Sequence, residues 1–278
     1  AVMVHRMSLK HTVFHRVNGP STRRLLELAG TAVASATGGK AKITYDPQSG
    51  GWLKQTDGGV TLNPYPYGMS IEQCMEFSKD VFFRGYTPQP GDIVLDVGAG
   101  TGTEALPLSK LVGETGKVVC IEAHPATFDI LERVCKLNNL TNVECVHAAL
   151  MDTSAEPIMI SNMRESFCQE NRVGGTEGIP VPTITMTELV AKLNLDRIDF
   201  IKMNIEGAEL PALRGAADVL PLVRHAAIGC HDFLADETGD DSYRTEKEVR
   251  EILADAGFTV KGTQDTRPWA ASYLFASR

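Results

Sequence analysis

Net positive charge, clustered cysteines and long apolar runs are all missing from this chain of 278 residues. Lys and Arg number 27 against 35 Asp and Glu, for a formal charge of −8. That balance disfavours a protein whose affinity comes from neutralising phosphates, and nucleic acid is not expected as a partner. None of the six cysteines (Cys74, Cys120, Cys135, Cys145, Cys168, Cys230) stands in Cys-x-x-Cys spacing, and three lie in or beside apolar strand-like runs. They read as reduced core thiols of a cytoplasmic protein. No stretch reaches the ~18 apolar residues that a membrane span requires, so no membrane partner is expected. Internal repeats are absent too. The two tryptophans, Trp52 and Trp269, are isolated and read as packing. His5, His11 and His15 have no acid at ligand spacing. Acids are also missing from the first 26 residues, where Arg6, Lys10, Arg16, Arg23 and Arg24 give a superficial likeness to a transit peptide and read as a basic arm or docking helix.

What is present suffices for a full core, since 43% of residues are hydrophobic. Residues 1–80 lack βα alternation and are expected to form an N-terminal α+β cap ahead of a main domain over 81–278. In the cap, Ser21 is a plausible N-cap for a helix ended by Gly38-Gly39, followed by short strands at 43–45, 52–55 and 60–62. Tyr65 and Tyr67 fall on a proline-rich loop, as packing or as a substrate-facing lid. A helix from Ile71 to Gly85 leads into regular alternation. Strands are expected at 93–97, 118–122, 143–147, near 181–185, and at 198–203, 225–230, 258–262 and 272–276. Helices are expected at about 103–112, 126–138, 187–194, 207–219 and 245–256. This pattern predicts a mostly parallel sheet covered on both faces, with one of the last two strands antiparallel because no helix separates them. The long loop 151–182 interrupts the pattern and reads as a substrate gate, mobile over 170–180, or as a surface insertion.

The most informative stretch is Val94-Leu95-Asp96-Val97-Gly98-Ala99-Gly100-Thr101-Gly102. A buried parallel strand ends in a glycine turn where a ligand lies against bare backbone. The third glycine comes one residue earlier than in Gly-x-Gly-x-x-Gly, and an acid stands two residues before the first. That acid would repel a pyrophosphate, which argues against a nicotinamide oxidoreductase, yet it suits a ligand carrying an ammonium and a sulfonium: S-adenosylmethionine. A second strand ends at Glu122, placed to accept from both ribose hydroxyls. His124, just beyond, reads as a loop histidine or a flank for adenine.

A second stretch, Ile198-Asp199-Phe200-Ile201-Lys202-Met203-Asn204-Ile205-Glu206-Gly207-Ala208-Glu209, ends in Leu213-Arg214-Gly215. With the glycine loop, Asn138-Asn139-Leu140-Thr141-Asn142-Val143 and His147-Ala148-Ala149-Leu150, it resembles the FkbM family of S-adenosylmethionine-dependent methyltransferases over roughly residues 90–220. The resemblance implies an α/β, Rossmann-like class I methyltransferase fold with a seven-stranded sheet, and O-methylation of a small molecule or sugar. The cofactor contacts expected are Asp96, Gly98, Ala99, Gly100, Thr101, Glu122, Ala123, Ala149, Asn204 and Glu206. The family pattern usually has Asp-Val-Glu-Gly where this chain has Asn204-Ile205-Glu206-Gly207. That departure keeps open a protein that binds the cofactor without catalysis.

The methyl group is expected to point toward Asn204, Glu206 and the next strand end, His231-Asp232. His231 is the expected base, with Asp232 orienting it or binding substrate and Asn204 beside the methyl. Glu206 holds the cofactor amine or caps the following helix, and Glu209 reads as a solvated helix residue. A rival grouping takes Asn204, His231 and Asp232 as ligands of a divalent cation. Only one of the three is a carboxylate, and hard cations prefer several oxygens, so no metal is expected.

Overall fold

The computed structural model describes residues 18–160 and 178–278. Its contacts divide the chain between Met75 and Glu76, earlier than the expected boundary after residue 80 and within the helix Ile71–Val81. In the first unit the helix Arg23–Gly38 starts after Thr22, one residue later than expected. It is followed by an antiparallel meander of β1 (Ala41–Asp46), β2 (Gly51–Thr56) and β3 (Gly59–Asn63). Trp52 is fully buried with Ile43 and Ala34, as its isolation in the sequence suggested. Thr31 Oγ1 accepts the Ile43 amide at 2.9 Å and fixes the helix on the meander. Tyr65 and Tyr67 stack with centroids 5.2 Å apart.

The second unit is built on seven strands. They are β4 (Ile93–Val97), β5 (Lys117–Glu122), β6 (Val143–His147), β11 (Ile198–Met203), β12 (Val223–Gly229), β13 (Thr259–Lys261) and β14 (Tyr273–Ser277). The order is β13-β14-β12-β11-β4-β5-β6. All neighbours are parallel except β14, which runs antiparallel to both β12 and β13. A helix separates most consecutive strands and goes with parallel pairing; between the last two, where no helix was expected, the chain forms only the four-residue helix Pro268–Ala271, and β14 reverses as foreseen.

Side chains alternate along β4, so Leu95 and Val97 join one core and Val94 another. The first core packs against the helices Met186–Lys192, Glu209–Arg214 and Glu246–Asp255. The second packs against Ala105–Val112 and Pro125–Leu137. β11, in the middle, is buried along its whole length, as expected of a strand covered on both faces.

Several expectations fail. The strand foreseen near 181–185 is not part of the main sheet: β10 (Thr183–Ile184) pairs only with β7 (Ala149–Leu150), while β8 (Ile158–Ile160) and β9 (Ile179–Val181) form a separate hairpin stem. Most of the segment read as a gate, 161–177, lies outside the described residues. The helix foreseen over 207–219 shrinks to Glu209–Arg214, because Glu206 and Gly207 hold positive φ of 52° and 96° and cannot open a right-handed turn. A helix the periodicity did not reveal, Asp232–Thr238, ends on left-handed Gly239.

Candidate active site

Chain connections turn one way after β4 and the other way after β11, so a crevice opens beyond the carboxyl ends of these two neighbours. The glycine loop forms its floor. Gly98 has φ +73°, and a Cβ there would stand 2.1 Å from the Asn204 carbonyl oxygen, so only glycine lets β4 and β11 close together. Gly100 has φ +57°, and a Cβ there would meet nothing within 4 Å, which leaves bare backbone facing open space. The amides of Gly98 and Ala99 both donate to Ile121 O, at 2.9 and 3.0 Å. The amides of these two residues, both expected to contact the cofactor, are thus committed to the fold. Thr101 is half-buried in the turn.

Asp96 and Lys202 are register partners on β4 and β11 and point into the same layer. Asp96 is fully buried, and its Oδ1 lies 2.9 Å from Lys202 Nζ, near enough for an ion pair though not aligned as a hydrogen bond. Oδ2 meets no hydrogen-bond donor among the described residues. A buried carboxylate oxygen without a donor is costly unless a ligand supplies one. Lys202 also donates to Gly98 O at 2.8 Å and lies 4.0 Å from Glu104 Oε2. Burial alone would lower the Lys202 pKa, but Asp96 and Glu104 outweigh it and hold the ammonium charged. Burial pushes Glu104 up to about 7, against the pull of Lys202 and with the push of Asp96.

Glu122 ends β5, as expected. Its Oε2 accepts the Gly100 amide at 2.9 Å and its Oε1 the His124 amide at 2.8 Å. Burial raises its pKa, and those two amides pull back. His124 is buried and caps the helix Pro125–Leu137, with Nδ1 3.2 Å from Thr127 Oγ1. The Ala123 carbonyl accepts from His147 Nε2 at 3.0 Å, and Ala149 is buried with its amide bound to Pro182 O.

On the β11 side, Asn204 Oδ1 accepts from the Tyr273 hydroxyl at 2.9 Å, and its backbone amide bonds Val97 O. His231 follows β12 and is 4% exposed. Its Nδ1 lies 2.7 Å from Glu209 Oε1, and its Nε2 lies 3.6 Å from Glu206 Oε1. Glu209 is fully buried and also accepts from Thr245 Oγ1 at 3.1 Å and the Gly207 amide at 3.1 Å. The solvated helix residue of the sequence reading is instead a buried carboxylate that fixes the imidazole. Burial lowers the His231 pKa, but the bond to Glu209, the Glu209 charge and the charges of Glu206 and Asp232 outweigh it, and the net direction is upward from 6.5.

Asp232 does not orient His231. Its Oδ1 accepts the amides of Thr245 and Glu246 at 2.9 and 3.0 Å, and so caps the helix Glu246–Asp255. Asn204 and Asp232 are thus engaged with Tyr273 and a helix terminus, and the trio considered as metal ligands is not assembled as a set. No group of three or more His, Cys, Asp or Glu arranged to hold a metal occurs among the described residues. No described helix is long and apolar enough to cross a membrane.

Sequence reading missed Lys202, Glu104, Glu209 and Tyr273. One signal was available: Lys202 is a cation inside the run Ile198–Met203, and a charge in a fully buried strand requires a partner. Glu209 gave no such sign, because a Glu at a helix start looks the same buried or exposed.

A seven-stranded sheet with one reversed strand, a glycine loop after β4 and an acid ending β5 together define a class I methyltransferase fold. A family model described as the methyltransferase FkbM domain matches residues 96–260, and the chain belongs to that family. It is 22% identical over 210 residues to the methyltransferase sdnD of Sordaria araneosa, covering 64% of this chain and 76% of that protein. A shorter match, 43% over 56 residues, links 20% of this chain to a protein-L-isoaspartate O-methyltransferase of Methanococcus maripaludis, of which it spans only 26%. Among solved structures, an FkbM methyltransferase from Methylobacillus flagellatus KT superposes with a TM-score of 0.48 at 16% identity, over 73% of this chain and 50% of that one.

Proposed function

We propose that this protein transfers a methyl group from S-adenosylmethionine to a hydroxyl of a small molecule or sugar, with His231 taking the hydroxyl proton. The observation that carries this reading is the buried Glu209–His231 pair at 2.7 Å, beyond the strand end next to β11.

The crevice suits the cofactor. Asp96 keeps a carboxylate oxygen without a donor where a cationic group is expected, and Gly100 leaves bare backbone over open space. Glu122 would hold the ribose hydroxyls, since a carboxylate bearing two amide bonds still has lone pairs to accept more. When bound, S-adenosylmethionine supplies a methyl carbon made electrophilic by positive sulfur.

The rest falls to the chain's own residues. Glu209 accepts the Nδ1 proton, which leaves Nε2 as the acceptor nitrogen, the division of labour of a carboxylate-oriented imidazole base. Tyr273, held neutral by burial, fixes Asn204 at the end of β11. Holding an acceptor oxygen in line contributes several kcal/mol by orientation alone. Glu206 faces Nε2 from a backbone conformation rare for a residue with a side chain, and such outliers gather at functional sites.

Methyl-labelled S-adenosylmethionine incubated with a panel of sugars and hydroxylated small molecules tests this reading. Labelled methyl ethers support it. Label on nitrogen, or cofactor binding with no transfer to any member, speaks against it.

A further inference from the structure

Two buried carboxylates share one ammonium behind the glycine loop. Asp96 is fully buried, Glu104 is 6% exposed and Lys202 2% exposed. Four elements place titratable groups within electrostatic reach of Glu104: β4 with Asp96, β11 with Lys202, β5 with the Cys120 thiol and β14 with the Tyr273 hydroxyl. Burial holds the thiol and the phenol neutral. Lys202 pairs closely with Asp96 at 2.9 Å and only distantly with Glu104 at 4.0 Å. With both acids ionised the cluster carries one uncompensated negative charge in a medium that screens poorly, and that state needs either a proton or a nearby cation.

We propose that the Asp96–Lys202–Glu104 cluster senses the charge of the cofactor: a proton on Glu104 neutralises it in the free protein, and the sulfonium of S-adenosylmethionine replaces that proton on binding. The Glu104 proton leaves to solvent as the cationic donor arrives. S-adenosylhomocysteine, with neutral sulfur, releases less. Glu104 is therefore a specificity-determining residue that favours methyl donor over spent product, increasingly so as pH rises. The titration of Glu104 near neutrality agrees with this charge count. The inference rests on the methyl-donor reading above.

Calorimetric titration in buffers of different ionisation enthalpy counts the protons. With S-adenosylmethionine, wild-type protein should release about half a proton at pH 7, approaching one near pH 6 and none near pH 8.5, as linkage to a single group requires. S-adenosylhomocysteine should release clearly fewer. Glu104→Gln, which keeps the shape and cannot ionise, should bind with no proton release. Binding without release in wild type, equal release with both ligands, or release unchanged in Glu104→Gln overturns the inference alone. Absence of S-adenosylmethionine binding by wild type overturns it together with the cofactor assignment. The wild-type pH series and the two-ligand comparison decide the matter even if the variant fails to fold.

Discussion

At the scale of single residues, His231 and Glu209 make the sharpest commitments. Losing a general base lowers turnover by about 10²–10⁴-fold, so His231→Ala should show that loss with cofactor affinity nearly intact. Glu209 holds the His231 pKa up against burial. In wild type, kcat/KM should therefore rise with pH through a value above 6.5, as the imidazole loses its proton and becomes a base. Glu209→Gln removes the raising charge but not the burial, and the same limb should shift to lower pH. NMR titration of His231 in both proteins checks the direction independently of activity. An unshifted His231 in Glu209→Gln would mean that the 2.7 Å contact does not govern its ionisation.

At the scale of elements, Asp232 separates a structural role from a chemical one. It satisfies two amides at the start of the helix Glu246–Asp255, and losing such a cap costs about 0.5–2 kcal/mol. Asp232→Ala should lower stability by that amount in denaturant unfolding while S-adenosylmethionine affinity stays within about twofold. A large loss of affinity with stability unchanged would return Asp232 to the binding site. Elements also show what was legible in the sequence. The strand–helix alternation, the glycine turn and the acids at 96 and 122 announce themselves, because period, φ and spacing are local properties. Glu209 and Lys202 do not, because their roles depend on register and burial between distant segments: Lys202 meets Asp96 only once β11 lies beside β4. Asp232 misled for the same reason, since its proximity to His231 in sequence said nothing of the amides at 245 and 246 that claim its carboxylate. The helix Asp232–Thr238 escaped notice because its apolar residues, Phe233, Leu234 and Ala235, run consecutively and do not recur at helical spacing.

At the scale of the whole molecule, the raised pKa values add up to a pH dependence of stability. Glu104 moves from an ordinary 4.5 to about 7, and His231 moves upward from 6.5. A group whose folded pKa exceeds its unfolded one stabilises fully below the unfolded value and loses that contribution as pH rises through the folded value. For Glu104 the loss runs from about pH 4.5 to 7, and for His231 it lies above 6.5. The free protein should therefore melt at a lower temperature at pH 8 than at pH 6, and Glu104→Gln should flatten the lower part of that slope. A melting temperature that climbs over this interval in wild type, with the same slope in Glu104→Gln, would show that these two groups do not govern the pH dependence.

Family membership and fold leave one step to be measured directly, whether the acid ending β5 and the glycine loop beside it hold S-adenosylmethionine. Losing a charged hydrogen bond to a buried ligand group costs about 1.5–3 kcal/mol, or tenfold to a hundredfold in affinity. A calorimetric titration of S-adenosylmethionine into wild-type protein and Glu122→Ala should show saturable binding by the first and a dissociation constant about ten to a hundred times higher in the second. An equal dissociation constant in the two proteins would place the ribose away from Glu122 and overturn the crevice between β4 and β11 as the cofactor site.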